Sequence, residues 1–181
     1  NQWWMAENLK VKHYRNGDPI VDGTGNSWST NWHEGTYGYP NHDENNFDVY
    51  GLLYNWRSAD DSRNIAPMGW KVASDTDWLI LLNYLGGTVS AGSSMKESGS
   101  EHWYGNDIET TNGSGFTALP AGRLDFAGVP GGINEYGLFW SSTELGFYDA
   151  GHLGLTRSSG TIKGSQSKSY GFSIRCLKSS G

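Results

Sequence analysis

Two segments in the C-terminal third of the chain alternate bulky apolar residues with small or polar ones. One runs from Gly137 to Glu144 and the other from Lys168 to Leu177. Alternation with a period of two residues is typical of half-buried β-strands, so the sequence predicts a rigid strand pair. Residues 145–167 mix polar, aromatic, charged and glycine residues without a helical or strand period. This pattern predicts an irregular recognition loop that the strands present.

Helical periodicity is confined to the first half of the chain. Apolar residues recur at three- and four-residue steps over residues 48–59, which predicts a first helix there. A second helix is marked more completely, because Ser74 is placed to cap it, an apolar stripe covers residues 78–85, and Gly86–Gly87 ends it. From residue 88 onward the sequence predicts short strands separated by Gly, Ser and Asn turns.

Two early helices followed by strands predict a single α+β domain over residues 1–181, with the helices packed on twisted antiparallel sheets between long ordered loops. With 26 Gly, 9 Trp, 10 Tyr and 6 Phe, the chain is too glycine-rich for a helical protein and too aromatic for a disordered one. The net charge of -6 opposes binding to nucleic acid and to anionic membranes. No apolar run approaches the roughly 18 residues of a membrane span, so we expect no direct membrane insertion.

Several sequence motifs follow one another in a fixed order along nearly the whole chain. They are NQWWMAENL from Asn1, YGLLYNW from Tyr50, PMGW from Pro67 with SDTDW from Ser74, GFTALPAG from Gly115, and the two strand segments described above. Together these motifs resemble those of the Fibrobacter succinogenes major paralogous domain family. The resemblance implies a C-type-lectin-like fold, related at a distance to formylglycine-generating enzymes.

The same resemblance carries expectations about function. Family members typically belong to secreted or surface-anchored bacterial proteins, including pilus-tip adhesins. Some are variable proteins that diversity-generating retroelements alter in a C-terminal region, which corresponds here to residues 145–170. We therefore expect a ligand-binding domain at the C-terminal part of a longer surface protein, extracellular or at the cell surface. Its expected partner is a protein or glycan on another cell or host surface.

The chain departs from the family pattern at the residue before the PMGW motif. Family members commonly have a cysteine there that is suited to pair with the C-terminal cysteine, whereas this chain has Ala66 and a single cysteine, Cys176. We expect Cys176 to be a small buried residue on the last strand rather than a reactive thiol.

Ligand contact favours mixtures of rings, which supply area, with Arg and Asp, which direct hydrogen bonds. Such a mixture defines the first group of candidate binding residues: Phe147, Tyr148, Asp149, His152, Leu155, Arg157 and Lys163. A second group supplies a possible second wall: Trp32, His33, Tyr37, Tyr39 and His42. The alternative for both groups is that the rings close the core beneath ordinary surface loops.

Metal and catalytic sites have weaker support. Residues 42–48 offer oxygen ligands at two-residue steps that Ca²⁺ would accept, but an acidic helix entry explains them equally. The calcium-dependent sugar motifs of lectins and the common catalytic motifs are absent from the sequence. Glu101–His102 and Asp107 with Glu109 are more typical of solvated charges than of acid–base pairs. We expect a non-catalytic domain without a cofactor; the alternatives are a structural module and a sugar-processing enzyme module.

Overall fold

The computed structural model describes residues 1–25, 27–105, 109–158 and 160–179. Its helices are α1 (Ser27–Thr30), α2 (Phe47–Tyr50), α3 (Trp56–Asp60), α4 (Asp75–Tyr84) and α5 (Thr88–Met95), with 3-10 turns at Pro40–His42 and Glu44–Asn46. Its strands are β1 (Val21–Asp22), β2 (Thr36–Gly38), β3 (Leu53–Tyr54), β4 (Trp70–Val72), β5 (Arg123–Leu124), β6 (Pro130–Gly131), β7 (Tyr136–Glu144), β8 (Asp149–Thr156), β9 (Thr161–Ser167) and β10 (Cys176–Lys178).

The strands form four small sheets, in the orders β1-β2-β3, β4-β10, β5-β6 and β7-β8-β9. All the pairings are antiparallel except β1 with β2, which is parallel. Short helices and several small, mostly antiparallel sheets are compatible with the predicted α+β class, although there are five short helices among the described residues instead of two; the C-type-lectin-like assignment stays a prediction. No helix among the described residues is long and apolar enough to cross a membrane.

The prediction of an irregular loop over residues 145–167 is wrong. Strands β8 and β9 occupy most of this segment and continue the predicted strand β7 into a three-stranded antiparallel sheet. The alternating pattern is hidden because β8 is the central strand and is buried on both faces. At Gly151 an added Cβ would lie 2.5 Å from the Asp75 carboxylate at the start of α4, so a side chain there would displace the Asp75 side chain.

The predicted helix over residues 48–59 is also wrong as a single element. Gly51 has φ 75°, a left-handed conformation that ends α2. The chain then extends into β3, which pairs with β2, and Asn55 starts α3 by accepting a hydrogen bond from the Ser58 amide. Leu52 and its neighbours are fully buried, so their apolar spacing fits a buried strand as well as a helix face.

The second predicted helix is confirmed as α4. The Ser74 hydroxyl accepts from the Asp77 amide at 3.2 Å, and the Asp77 carboxylate accepts from the Ser74 amide at 2.9 Å, so the two residues cap the helix reciprocally. Helix α5, which directly follows, was missed. Its sequence contains Thr, Val, Gly and three Ser, all weak helix formers, and burial of Ala91 and Met95 stabilises it instead.

Cys176 lies fully buried on β10, as expected, and burial raises the pKa of its thiol to about 12. It belongs to a core cluster that also contains Trp56, Trp140 and Phe172. A second cluster surrounds Trp78 beneath α4 and α5. Large rings therefore fill much of the core, in agreement with the composition.

The Ser74 cap can be tested by Ser74→Ala. Losing the hydroxyl leaves the Asp77 amide without its capping partner, so we expect the free energy of unfolding to fall by about 1 kcal/mol. Urea denaturation followed by tryptophan fluorescence measures the change. Ser98→Ala, which alters an exposed serine in a loop, is the matched control and should change stability by less than about 0.5 kcal/mol. Equal stability of the two variants would contradict the capping role.

Candidate ligand-binding cleft

Four exposed aromatic rings line one surface cavity of about 380 Å³. Trp32, Phe126, Phe147 and Tyr148 are 52, 63, 75 and 70% exposed, respectively. The rest of the lining consists of Ser29, Arg57, Ala127, Ser167, Lys168 and Ser169. Clustered exposed rings mark interaction sites in soluble proteins, because leaving that apolar area in water is unfavourable. We refer to this cavity as the aromatic cavity.

A second cavity, of about 440 Å³, adjoins the first one. Polar side chains dominate its lining, which consists of His33, Glu34, Gly35, Arg57, Asp60, Asp61, Ser62 and Arg63. Arg57 lines both cavities, and the Trp32 and His33 rings touch edge to face with centroids 5.7 Å apart. The polar cavity and the aromatic cavity therefore lie side by side, and we call the two together the Arg57 cleft.

Phe147 and Tyr148 lie at the tip of the hairpin that joins β7 to β8. The Leu145 amide donates to the Asp149 carbonyl at 3.1 Å and closes the hairpin. The rings of Phe147 and Tyr148 meet edge to face, with centroids 4.8 Å apart. Both rings project into water from a tight turn, so the hairpin alone positions them and they do not pack against the core.

The ammonium of Lys168 holds this hairpin tip from beneath. Lys168 is 4% exposed, and its Nζ donates to the Glu144 carboxylate, to the Gly146 carbonyl at 2.7 Å and to the Phe147 carbonyl at 3.0 Å. The hydrogen bond from Lys168 lowers the pKa of the Glu144 carboxyl. All three ammonium protons thus have acceptors in one turn, which fixes the turn geometry.

Trp56 at the start of α3 completes this support. Its ring centroid lies 4.7 Å from the Lys168 Nζ, and its amide donates to the Lys168 carbonyl at 3.0 Å. The Trp56 indole also donates to the Ser141 carbonyl in β7 at 2.7 Å. Because Arg57 is the next residue along α3, the same contacts place its guanidinium between the two cavities.

The other two rings come from separate loops. Trp32 follows α1, whose buried Trp28 donates its indole N–H to the Ser169 carbonyl at 3.0 Å. Phe126 lies in the turn between β5 and β6, where the Asp125 carboxylate accepts from the Ala127 amide at 2.8 Å. Four distant parts of the sequence therefore meet at the Arg57 cleft.

Four of the twelve candidate residues line the cleft, namely Trp32, His33, Phe147 and Tyr148, and His42 does not. Three others are core residues, which corrects the expectation that they face a ligand. Leu155 is fully buried in β8, and Tyr37 and Tyr39 are 6 and 5% exposed. The hydroxyls of Tyr37 and Tyr39 donate to Asp22 and Glu44. For Tyr37 and Tyr39 the alternative of core closure therefore describes the structure.

The remaining four candidates do not line the cleft. Asp149 is exposed at the start of β8, and Arg157 follows the opposite end of that strand. Lys163 forms an ion pair with Asp75 at 3.1 Å. His152 is largely buried against Phe172, and burial lowers its pKa. The first group therefore does not form one face.

The sequence analysis did not single out several lining residues, among them Glu34, Arg57, Asp60 and Phe126. Arg57 falls within the helix predicted over residues 48–59, and nothing in that pattern marks it as a site residue. Phe126 carries a detectable signal, because a Phe between Asp and Ala-Gly in a turn has no strand or helix face on which to be buried.

The acidic segment over residues 42–48 uses its carboxylates within the protein. Asp43 accepts from the Asn45 amide at 2.9 Å, and Glu44 accepts from the Tyr39 hydroxyl at 2.7 Å. Of the candidate acid–base pairs, His102 contacts the Glu97 carboxylate, 2.9 Å from its Nδ1, and Asp107 lies outside the described residues. Within the described part of the chain, three potential metal ligands come together only at Glu97, Glu101 and His102.

Comparison with known families identifies the class of protein. The model of the Fibrobacter succinogenes major domain matches residues 1–178. The chain therefore belongs to this family, and the resemblance inferred from the ordered motifs is confirmed. Searches among curated proteins and among solved structures gave no match. Family membership alone assigns no specific ligand or activity to the cleft.

The role of Lys168 can be tested by Lys168→Met, which keeps the aliphatic stem and removes the ammonium. We expect faster amide hydrogen exchange at residues 145–148 and a loss of about 1 to 3 kcal/mol of stability, because the turn carbonyls lose a charged donor. Exchange measured by mass spectrometry and urea denaturation report the two effects.

The matched control is Lys178→Met at an exposed lysine of β10. This variant should leave exchange at the hairpin tip unchanged and alter stability by less than about 0.5 kcal/mol. Unchanged exchange at the tip in Lys168→Met would show that the ammonium does not hold the turn.

Proposed function

We propose that this chain is a non-catalytic recognition domain that uses the Arg57 cleft to bind a protein or glycan at another cell or host surface. The observation that carries the proposal is the convergence of four exposed rings from three distant sequence segments on one cavity. Random exposure scatters such rings singly over a surface. Burying exposed rings contributes about 25 cal/mol for each Å² of apolar area, enough for a partner to gain affinity from a small contact.

Rigidity of the cleft supports binding in a second way. Phe147 and Tyr148 stand on a turn whose carbonyls are held by Lys168, and Trp32 follows a helix anchored by Trp28. A site that is ordered before the ligand arrives loses little conformational entropy on binding. This arrangement suits adhesion, in which a domain holds its partner without altering it.

We further propose an extracellular or cell-surface location as part of a longer surface protein. The support is the resemblance to a family whose members typically occupy such proteins, some as pilus-tip adhesins. We also retain retroelement-driven variation of residues 145–170 as a proposal. The hairpin tip is the part of that region where exposed side chains reach the cleft, while much of β8 is core.

A sugar-processing module is the second candidate function, because three carboxylates line the polar cavity. Burial and the nearby Glu144 raise the pKa of Asp60, as a general acid requires, and Glu34 lines the same cavity. Asp61, in contrast, is ion-paired with Arg63 at 2.7 Å. We favour binding for two reasons. The rings dominate the exposed surface of the cleft, and Asp60 is exposed to water, whereas a catalytic acid is usually shielded from water.

Binding at the cleft is tested by screening the purified chain against a glycan array and a displayed random-peptide library. For any ligand found, Trp32→Ala and Tyr148→Ala should each weaken binding by about tenfold or more, as removal of a central ring does at other interfaces. Tyr84→Ala removes an equally exposed tyrosine from α4 and is the matched control, with an expected change of less than about twofold.

Catalysis is assessed in the same samples by mass spectrometry of the recovered ligand, which should be chemically unchanged. Recovery of hydrolysed glycan that depends on Asp60 would replace the proposal with the enzymatic alternative. Ligand binding that is lost in Tyr84→Ala but not in the two cleft variants would move the binding face to α4.

A further inference from the structure

We propose that the ligand of the Arg57 cleft is a neutral polysaccharide chain. This inference rests on the proposed recognition function and adds to it the chemical class of the ligand. It follows from two properties that the cleft combines: aromatic faces in one half, and unpaired planar polar groups in the other half.

The aromatic half matches the apolar faces of sugar rings. Pyranose rings expose C–H groups on their faces, and the electron-rich face of an aromatic ring attracts such partially positive hydrogens. Trp32 and Tyr148 are at least half exposed and border the cavity on different loops. Two or more separated rings suit a chain of successive sugar units, in the way that successive rings suit successive bases of a nucleic acid strand.

The polar half supplies hydrogen-bonding groups that the protein itself leaves unused. Among the described residues, the Arg57 guanidinium and the Asp60 carboxylate make no hydrogen bond and no ion pair within 4.0 Å, although the two charges attract each other across a longer distance. They lie three positions apart on α3, so they are neighbours on one helix face. Arg57 offers only donors and Asp60 only acceptors, whereas each sugar hydroxyl both donates and accepts. Neighbouring hydroxyls of one sugar can therefore use both groups, including the two parallel N–H donors of a guanidinium.

The charge of the cleft favours a neutral chain over a charged one. Asp61 is paired with Arg63, and the ammonium of Lys168 is paired with Glu144. Glu34 and Asp60 then outnumber Arg57, and the whole chain has a net charge of -6. A uronic-acid polymer or an acidic peptide meets repulsion from this surface. A basic peptide would pair with the two carboxylates but would leave the half-buried Arg57 guanidinium unpaired and beside a like charge.

The inference is tested by native affinity electrophoresis of the purified chain in gels that contain one soluble polysaccharide each. Hydroxyethyl cellulose, arabinoxylan, galactomannan and laminarin are the neutral probes, and alginate and polygalacturonate are the anionic ones. We expect at least one neutral probe, and neither anionic probe, to slow the migration of the chain. Titration calorimetry with that probe then gives the affinity for each variant.

Substitutions at Arg57 test the polysaccharide inference most specifically. Arg57→Gln and Arg57→Lys should both weaken binding of the neutral probe by about tenfold, because neither side chain reproduces the planar pair of donors. Lys178→Gln, which removes an exposed positive charge on β10, is the matched control and should bind as the unchanged chain does. Full binding by Arg57→Lys would show that charge alone matters and would overturn the assigned role of the guanidinium.

The possible failures of the two proposals are distinguishable. Two results would overturn the polysaccharide inference and leave recognition at the cleft intact. One is retardation of the chain by the anionic probes alone. The other is peptide binding that Trp32→Ala abolishes, together with no binding to any polysaccharide. Absence of cleft-dependent binding to polysaccharides and to the peptide library alike would overturn both.

Discussion

The arrangement of the Arg57 cleft depends on one buried ammonium. A lysine taken out of water is costly unless each of its protons finds an acceptor, and Lys168 finds all three acceptors in the turn that ends β7. This requirement gives the turn one geometry. The hairpin tip, the start of α3 and the position of Arg57 all follow from it, since Trp56 packs its ring on the same ammonium.

A second buried cation, the guanidinium of Arg175, connects the C-terminal segment to the N-terminal segment. The guanidinium of Arg175 is fully buried next to Phe116, and burial lowers its pKa to about 9. It donates to the Asn8 side chain at 2.6 Å, to the Met5 carbonyl at 2.9 Å and to the Phe116 carbonyl. The C-terminal segment therefore carries two cations that organise other parts of the chain: Lys168 the hairpin tip, and Arg175 the N-terminal segment.

The sequence predicted those features whose cause is local. Helix α4 follows from its capping residues and glycine stop, β7 from its alternation, and family membership from ordered motifs. The segments whose structure was predicted wrongly depend on contacts with residues that are distant in the sequence. Strand β8 has no visible period because it is the central strand of its sheet and is buried on both faces, and the helix predicted over residues 48–59 is divided at Gly51 by pairing with β2. For the site, exposed rings at turns were recognisable, whereas the position of Arg57 depends on contacts between α3 and the C-terminal segment.

We propose that the Arg57 cleft is already shaped in the free chain and binds its ligand without rearrangement. Crystal structures of the chain, free and with its bound ligand, are the decisive measurement. We expect ligand density between Trp32, Tyr148 and Arg57, with Cα atoms of the hairpin tip displaced by less than about 1 Å. A ligand located elsewhere on the surface, or a hairpin tip that becomes ordered only in the complex, would contradict it.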